Sequence, residues 1–261
     1  MSLLAHILMT SGIVIVLAML ALWLVGTMLR DVSIADPFWG AGFVIVAGVA
    51  WHMSSGAGLR VVLLAILSAL WGLRLSLFLL WRKHGHAEDR RYAAMRTYHG
   101  RRFWWVSLFT VFLMQGAILW FVSLPIQVAL ACDRARPLGW FDAVGIALWG
   151  IGLFFEAVGD WQLARFKFDP LNVGKVMDRG LWRLTRHPNY FGDFCVWWGL
   201  YLVAAAGGAA WTIASPLLMS FLLLKVSGVT LLERTIVDRR PDYAEYQAQT
   251  NAFFPWPPSA R

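Results

Sequence analysis

Seven long apolar stretches run along this chain, and they constrain its fold more than any other feature. A helix needs about 20 mostly apolar residues to cross the hydrocarbon core of a bilayer. Hydrophobic residues make up 59% of the 261 positions and charged residues 15%, whereas a soluble domain carries about 25% charged residues. The sequence therefore predicts an all-α integral membrane protein whose seven transmembrane helices lie near residues 5–29, 34–54, 58–81, 103–131, 140–163, 190–207 and 210–232.

No internal repeat or linker divides the sequence, so we expect a single domain over residues 1–261. Pro125 is expected to kink the long fourth stretch, because proline removes a helical hydrogen bond. Cys132 and Cys195 follow no metal-ligand spacing and are interpreted as helix-end or packing residues. We therefore expect no metal site.

Lysine and arginine are concentrated in two loops, residues 82–102 and 164–189, and in the C-terminal tail. The positive-inside rule makes these segments cytoplasmic, so the N-terminus lies outside and the C-terminus inside. The net charge of +8 is explained first by this asymmetry and by contact with lipid headgroups, not by nucleic acid. A site for an anionic cofactor could share the same charges.

Ionisable residues within the apolar stretches gather toward the predicted cytoplasmic side. Such residues are costly in a bilayer and mark candidate functional sites. The cluster indicates a polar cavity open to the cytosol, and the alternative is a structural network of ion pairs between helices. Gln115, in the fourth stretch, either bonds a neighbouring helix or lines a substrate path. The clustered residues are Asp36, Arg74, Glu156, Asp160, Asp193, Lys225 and Glu233.

The most specific motif is Arg-His-Pro-Asn-Tyr-Phe-Gly-Asp at residues 186–193. Pro188 suits the first position of a helix, where its missing N–H costs nothing. The N–H groups and dipole of that helix end favour an anion. His187 is interpreted as a capping or hydrogen-bonding group, with catalysis as the alternative, and His84 and His86 as solvated loop residues.

This motif resembles one shared by the membrane-embedded steroid 5-alpha-reductases, the sterol reductases and the isoprenylcysteine carboxyl methyltransferases. Further segments resemble the bacterial branch of the 5-alpha-reductase family. These segments are residues 36–40, 88–92, 115–116, 156–167 and 238–255.

The resemblance implies an NADPH-dependent reductase of the 3-oxo-5-alpha-steroid 4-dehydrogenase type in a bacterial inner membrane. It would reduce the 4,5 double bond of a 3-oxo-4-ene steroid or a similar lipid enone that enters from the bilayer. The family pattern assigns the cofactor to Asp160, Asn189 and Asp193, and its phosphates to Arg91, Lys167, Arg179 and Arg183. The same cofactor site is expected to include Glu156, Arg186, His187, Tyr190, Lys225 and Glu233.

The family binds the substrate ketone with an acid on helix two and a tyrosine on helix three. Asp36 fits the acid, and we expect its protonated carboxyl to donate a hydrogen bond to the ketone oxygen. Trp71 lies near the expected tyrosine position, with Arg74 three residues on, so the second ketone ligand departs from the family pattern. Gln115 is a further candidate for this site.

Two alternatives stay open. The first is a membrane methyltransferase that uses S-adenosylmethionine, because the Arg-His-Pro motif and Glu233 would also suit that cofactor. Asp36, Arg74 and the loop cations fit a phosphate-rich cofactor better than a cationic sulfonium. The second is a lipid-binding or transport protein, for which inverted repeats would be expected, and the sequence has none.

Overall fold

The computed structural model is helical in the part of the chain that it describes, residues 2–54, 58–132, 137–226, 229, 233, 240 and 242–258. No strand occurs in these ranges. A helix satisfies every backbone N–H and C=O within its own segment, which is what hydrocarbon requires. The α-helices are α1 (Leu3–Leu29), α2 (Ala35–Met53), α3 (Leu59–Lys83), α4 (Arg90–His99), α5 (Phe103–Ser107), α6 (Met114–Val122), α7 (Leu124–Cys132), α8 (Trp140–Phe168), α9 (Pro188–Ala204), α10 (Ala214–Phe221) and α11 (Tyr243–Gln249).

Within the described ranges, six helical stretches are long and apolar enough to cross a membrane, which fits a multi-pass membrane protein. The seven-span count and the orientation stay predictions. The six stretches are Leu3–Leu29, Val32–Met53, Leu59–Lys83, Arg90–Val122, Trp140–Phe168 and Pro188–Val226.

The predicted fourth stretch, residues 103–131, is interrupted in the structure. Helix α6 ends at Val122, Ser123 forms a turn, and α7 begins at Leu124. Pro125 is the second residue of α7, where a missing N–H leaves no bond unmade. The expected disturbance at Pro125 is confirmed as a break between two helices.

The stretch from Pro188 to Val226 folds back on itself near Gly208. Gly208 has a φ of 107°, in the region that glycine adopts without strain. Trp198 Nε1 donates to Ser220 Oγ at 3.1 Å although the two residues are 22 apart. A straight helix would separate them by about 33 Å, so the arms on either side of Gly208 run antiparallel.

Contacts divide the chain into two compact units. Unit 1 consists of Met1–Leu138 and Ala204–Ser215, and unit 2 of Gly139–Val203 and Pro216–Arg261. The single domain over residues 1–261 stays a prediction.

In unit 1, helices α2 and α3 touch backbone to backbone at Gly40 and Gly72. A Cβ at residue 40 would overlap the carbonyl oxygen of Gly72, and one at residue 72 would lie 2.5 Å from the carbonyl oxygen of Gly40. Beside this contact, Ser76 Oγ donates to Pro37 O and accepts from Ala41 N–H, both at 2.7 Å. The crossing therefore fixes α3 against the first turns of α2.

In unit 2, helices α8 and α9 meet in the same way at two points. A Cβ at Gly152 would lie 2.5 Å from the carbonyl oxygen of Gly192, and one at Gly145 would lie 2.8 Å from that of Gly199. Small residues let membrane helices approach closely and gain van der Waals contact. The buried face of α8 includes these two glycines and, farther along, Glu156.

Substituting Gly40 tests the α2–α3 contact. In Gly40→Ala the new methyl has no room against the Gly72 backbone, so we expect a loss of about 1–3 kcal/mol, the usual cost of overpacking. The matched control is Gly48→Ala on the same helix, where a Cβ meets nothing within 4 Å. Gly48→Ala should be neutral or stabilising, because alanine favours helix. Thermal unfolding in detergent measures both variants, and equal melting temperatures would contradict the role of the contact.

Candidate functional site

Asp36, at the start of α2 in unit 1, is held by two donors. Tyr92 Oη donates to Asp36 Oδ1 at 2.6 Å, and the Arg91 guanidinium donates to Oδ2 at 2.7 Å. Arg91 also donates to Asp89, which caps α4. Both Asp36 oxygens therefore act as acceptors, Oδ1 for the Tyr92 hydroxyl and Oδ2 for the Arg91 guanidinium.

A hydrogen-bond chain continues from Tyr92 into the bundle of unit 1. Gln115 Nε2 donates to Tyr92 Oη at 3.0 Å, and Trp39 Nε1 donates to Gln115 Oε1 at 3.1 Å. The first alternative for Gln115, bonding to neighbouring helices, is confirmed. The chain fixes the orientation of the Tyr92 hydroxyl, which accepts from Gln115 and donates to Asp36.

Glu88 ties α4 to the beginning of α2. Its carboxylate accepts from Val32 N–H at 2.8 Å and from two nitrogens of Arg96 at 2.8 Å each. Burial alone would raise the pKa of Glu88, but the hydrogen bonds from Arg96 and Val32 and the charge of Arg96 together keep that pKa below its ordinary value. Because Tyr92 lies between Glu88 and Arg96 in sequence, this tie holds Tyr92 against Asp36.

A second tie joins the end of α3 to the same place. Lys83 Nζ donates to Asp31 Oδ2 and to Ser33 Oγ, both at 2.6 Å, and Asp89 N–H donates to Ser33 Oγ at 3.2 Å. Lys83, just before the 84–89 loop, and Asp89, its last residue, are thereby both bonded to the segment that precedes α2.

Trp71 and Arg74, the residues predicted near the ketone, both make aromatic contacts in the structure. Trp71 is completely buried and packs on the Phe43 ring at 5.5 Å, and the Arg74 guanidinium lies over Phe78 at 5.3 Å. The aromatic hydroxyl beside Asp36 is Tyr92. The sequence contains an indication of the role of Tyr92, because Glu88, Tyr92 and Arg96 recur every four residues, which is the spacing of one helix face. Asp36 accepts from Tyr92 and Arg91 here, and its role as a donor to the ketone stays a prediction.

In unit 2, the buried carboxylates of α8 face the beginning of α9. Asp160 accepts from Asn189 Nδ2 at 3.2 Å, and its side chain is 5% exposed. Glu156, one turn earlier, is 3% exposed, so the shared helix face is confirmed. Trp182 Nε1 donates to Gly159 O at 3.0 Å and holds the preceding loop on the same side of α8.

The Arg-His-Pro motif of unit 2 forms an ion-paired cluster with Glu233. Arg186 donates to both Glu233 oxygens, at 2.7 and 3.0 Å, and His187 Nε2 lies 3.0 Å from Oε1. His187 is buried, and the Tyr190 ring stacks on it at 5.5 Å. Helix α9 begins at Pro188, as predicted. His187 is therefore a hydrogen-bonding group at the beginning of α9, as interpreted from the sequence.

The remaining predicted cofactor residues of unit 2 lie nearer the surface. Asp193 and Tyr190 are half-buried on α9. Arg179 lines an open cleft of about 340 Å³ with Trp161, Gln162, Arg165, Phe166, Asp169, Asn172, Met177 and Gly180. The exposed predicted cofactor residues are Lys167, Arg179, Arg183 and Lys225.

Replacing Glu233 by glutamine tests the Arg186–Glu233 pair. Burial would raise the pKa of Glu233, but hydrogen bonds from His187 and Arg186 hold it at about 2, below the ordinary 4.5. A depressed pKa stabilises the folded state above the unfolded value, and the contribution is lost as pH falls through the folded value. Such a shift corresponds to roughly 3 kcal/mol. The difference in Tm between wild type and Glu233→Gln should be largest above pH 4.5 and should shrink toward pH 2.

Asp242→Asn is the control for this experiment, because Asp242 is an exposed carboxylate just before α11 that makes no side-chain capping hydrogen bond. Its Tm should follow that of the wild type at every pH. A gap for Glu233→Gln that does not change with pH would show that the charge of Glu233 does not stabilise the fold.

Two proteins similar to this chain differ in how much of it they cover. An uncharacterised protein of Schizosaccharomyces pombe is 26% identical over 272 residues, which cover 90% of this chain and 75% of the fungal protein. A probable O-methyltransferase of Ustilaginoidea virens, ustE, is 37% identical over 65 residues, which cover 25% of this chain and 22% of that protein. No solved structure matches the chain significantly.

A family model described as a protein of unknown function, DUF1295, matches residues 22–250. The family is steroid 5-alpha-reductase-like, which confirms the resemblance at that level, while the bacterial branch stays a prediction. The match covers most of the chain, and the protein therefore belongs to the DUF1295 family.

Proposed function

We propose that this protein is an NADPH-dependent reductase of a carbon–carbon double bond conjugated to a ketone. The substrate is an apolar lipid, such as a 3-oxo-4-ene steroid reduced at its 4,5 double bond, that enters from the bilayer of a bacterial inner membrane. The observation that carries the proposal is the chain of hydrogen bonds Asp36–Tyr92–Gln115–Trp39 at one end of a membrane helix.

Reduction of an enone places negative charge on the ketone oxygen, and a donor fixed at that oxygen stabilises the transition state. The Tyr92 hydroxyl can turn its proton from Asp36 to a ketone oxygen while it still accepts from Gln115. Asp36 positions Tyr92, and Arg91 balances the charge of Asp36. Trp39 fixes which way the Gln115 amide faces, since it donates to the amide oxygen.

The donor set of unit 2 fits a phosphate-rich nucleotide. Exposed cations at Lys167, Arg179 and Arg183 precede the helix end at Pro188, and both features favour anions. Asn189 and Asp160 offer an amide and a carboxylate to ribose hydroxyls or to a carboxamide. NADPH, when bound, supplies the hydride that the reduction needs.

A methyltransferase that uses S-adenosylmethionine is the second candidate. The similarity to the probable O-methyltransferase ustE favours it, although that similarity covers only 25% of this chain. Arg186, His187 and Glu233 form a polar cluster that would suit the carboxylate and ammonium groups of that cofactor. The two candidate functions differ in the cofactor that the protein binds and in whether the Tyr92 hydroxyl takes part in the reaction.

Tyr92→Phe should lower the turnover of an enone by about 10²–10³-fold, the usual cost of losing a transition-state donor. Asp36→Asn should give a smaller loss, because Tyr92 remains but is no longer oriented by a carboxylate. Tyr98→Phe on the same helix is the matched control, since Tyr98 is 85% exposed. NADPH oxidation that depends on an added 3-oxo-4-ene steroid, measured in nanodiscs, reports the rates. Wild-type turnover in Tyr92→Phe would remove Tyr92 from the mechanism.

The identity of the nucleotide is tested by thermal stabilisation of the purified protein. NADPH should raise the Tm, and Asn189→Ala and Asp160→Asn should each abolish that rise. The control is Asp242→Asn, an exposed residue of the same unit, which should keep it. Stabilisation by S-adenosylmethionine without any by NADPH would favour the methyltransferase instead.

A further inference from the structure

Helix α8 presents one continuous exposed face along its whole length. Trp140, Phe154, Trp161 and Phe168 are all more than half exposed, and these residues recur at multiples of seven. The buried face contains Gly145, Gly152 and Glu156, which belong to the packing against α9 or to the carboxylate pair described above. Because α8 is apolar enough to span a membrane, its exposed face is the one that meets lipid.

Two tryptophans on this face have the spacing of a bilayer. Trp140 and Trp161 are 21 residues apart on one helix, which corresponds to about 31 Å at 1.5 Å per residue. The hydrocarbon core is about 30 Å thick, and tryptophan favours its two boundaries. Trp161 therefore marks one boundary, and the Arg165 guanidinium over its ring, at 5.6 Å, belongs in the headgroup layer.

After α8 the chain stays near this boundary and turns back, so that later residues contact progressively earlier residues of α8. Asn172 Nδ2 donates to Phe166 O at 3.0 Å, and Leu181 N–H donates to Gln162 Oε1 at 3.0 Å. Trp182 Nε1 then reaches Gly159 O at 3.0 Å, at the level of Trp161. Residues 169–182, which we name the return segment, therefore lie at the depth of the headgroups.

The return segment and the helix end that leads into it expose three large apolar side chains. Phe168 is 88% exposed, Leu171 78% and Val173 82%. Exposed cations stand on both sides of these residues in sequence, at Arg165 and Lys175. An apolar cluster between cations is complementary to an anionic lipid surface, in which acyl chains lie below phosphates.

We propose that the return segment is an interfacial anchor. Phe168, Leu171 and Val173 insert into the leaflet beside Trp161, and Arg165 and Lys175 meet the phosphates of anionic phospholipids. This contact holds the loop that carries Arg179 and Arg183 at the membrane surface. The proposal concerns the surface of unit 2 alone and does not depend on the reaction that the protein catalyses.

Single cysteines carrying a nitrobenzoxadiazole probe test the anchor. The background is Cys132→Ser, which removes the exposed native thiol, while Cys195 is buried. Probes are placed by Leu171→Cys and Val173→Cys, and the control is Ala248→Cys at an exposed position of α11 in the same unit. All three positions are exposed, so the labelled variants should fold as the parent does.

The full chain is reconstituted in vesicles of phosphatidylcholine and phosphatidylglycerol that contain spin-labelled lipid. Quenching by the spin-labelled lipid should be several-fold stronger at residues 171 and 173 than at residue 248, and quenching by aqueous iodide should show the reverse order. Arg165→Gln combined with Lys175→Gln should weaken the lipid quenching at residue 171 in the anionic vesicles.

Three results would overturn the proposal. The first is equal access of iodide to residues 171 and 248. The second is lipid quenching that the Arg165→Gln, Lys175→Gln variant leaves unchanged, which would remove the anionic lipid from the contact. The third is a probe at residue 171 that leaves water only when NADPH is added, which would make the segment a cover for a nucleotide.

Discussion

The structure depends on the close approach of helices at glycine. Lipid is as apolar as the side chains that face it, so it does not drive helices together, and they gain by direct backbone contact instead. Gly40 with Gly72, and Gly152 with Gly192, provide that contact within units 1 and 2 respectively. Asp36 lies one turn before Gly40. In unit 2, a Cβ at Gly192 would lie 2.5 Å from the backbone nitrogen of Glu156. The same contacts that hold each unit together therefore fix the position of its polar residues.

Polar residues placed at such contacts need partners, because a buried group without one is costly in a low-dielectric interior. In unit 1 the partners form a line of hydrogen bonds from Asp36 through Tyr92 and Gln115 to Trp39. The two groups in the middle, the Tyr92 hydroxyl and the Gln115 amide, are each held from both sides. In unit 2 they form a cluster, with Glu233 accepting from Arg186 and His187. A line with a hydroxyl in it can exchange one acceptor for another, whereas a bidentate ion pair is closed. The hydroxyl of unit 1 can therefore change its hydrogen-bond acceptor, whereas the ion pair of unit 2 holds its side chains in place.

The sequence predicted long apolar helices and the beginning of α9 at Pro188, because both arise from local patterns. The pairing of Arg186 with Glu233 was not predicted from the Arg-His-Pro motif and is seen only in the structure. Tyr92 was not predicted beside Asp36, because the family pattern points to helix three, where Trp71 packs on Phe43. Tyr92 reaches Asp36 from a separate helix through the Glu88–Arg96 tie, and Arg91 donates to Asp36, while its predicted contact with a phosphate stays a prediction. The four-residue spacing of Glu88, Tyr92 and Arg96 indicates that they share a face, but where this face lies depends on how the 84–89 loop returns.

The hydrogen-bond line of unit 1 also bears on the choice between the two candidate functions. An anchored arginine, histidine and glutamate beside the beginning of a helix would serve a reductase or a methyltransferase equally well. Methyl transfer to an oxygen needs a base that takes a proton from the acceptor, and both Asp36 oxygens already accept hydrogen bonds, from Arg91 and Tyr92. Binding of a ketone needs a donor, and the same two contacts orient the Tyr92 hydroxyl as one. The donors around Asp36 therefore support the proposed reduction, and the binding of NADPH or of S-adenosylmethionine decides between the two candidates.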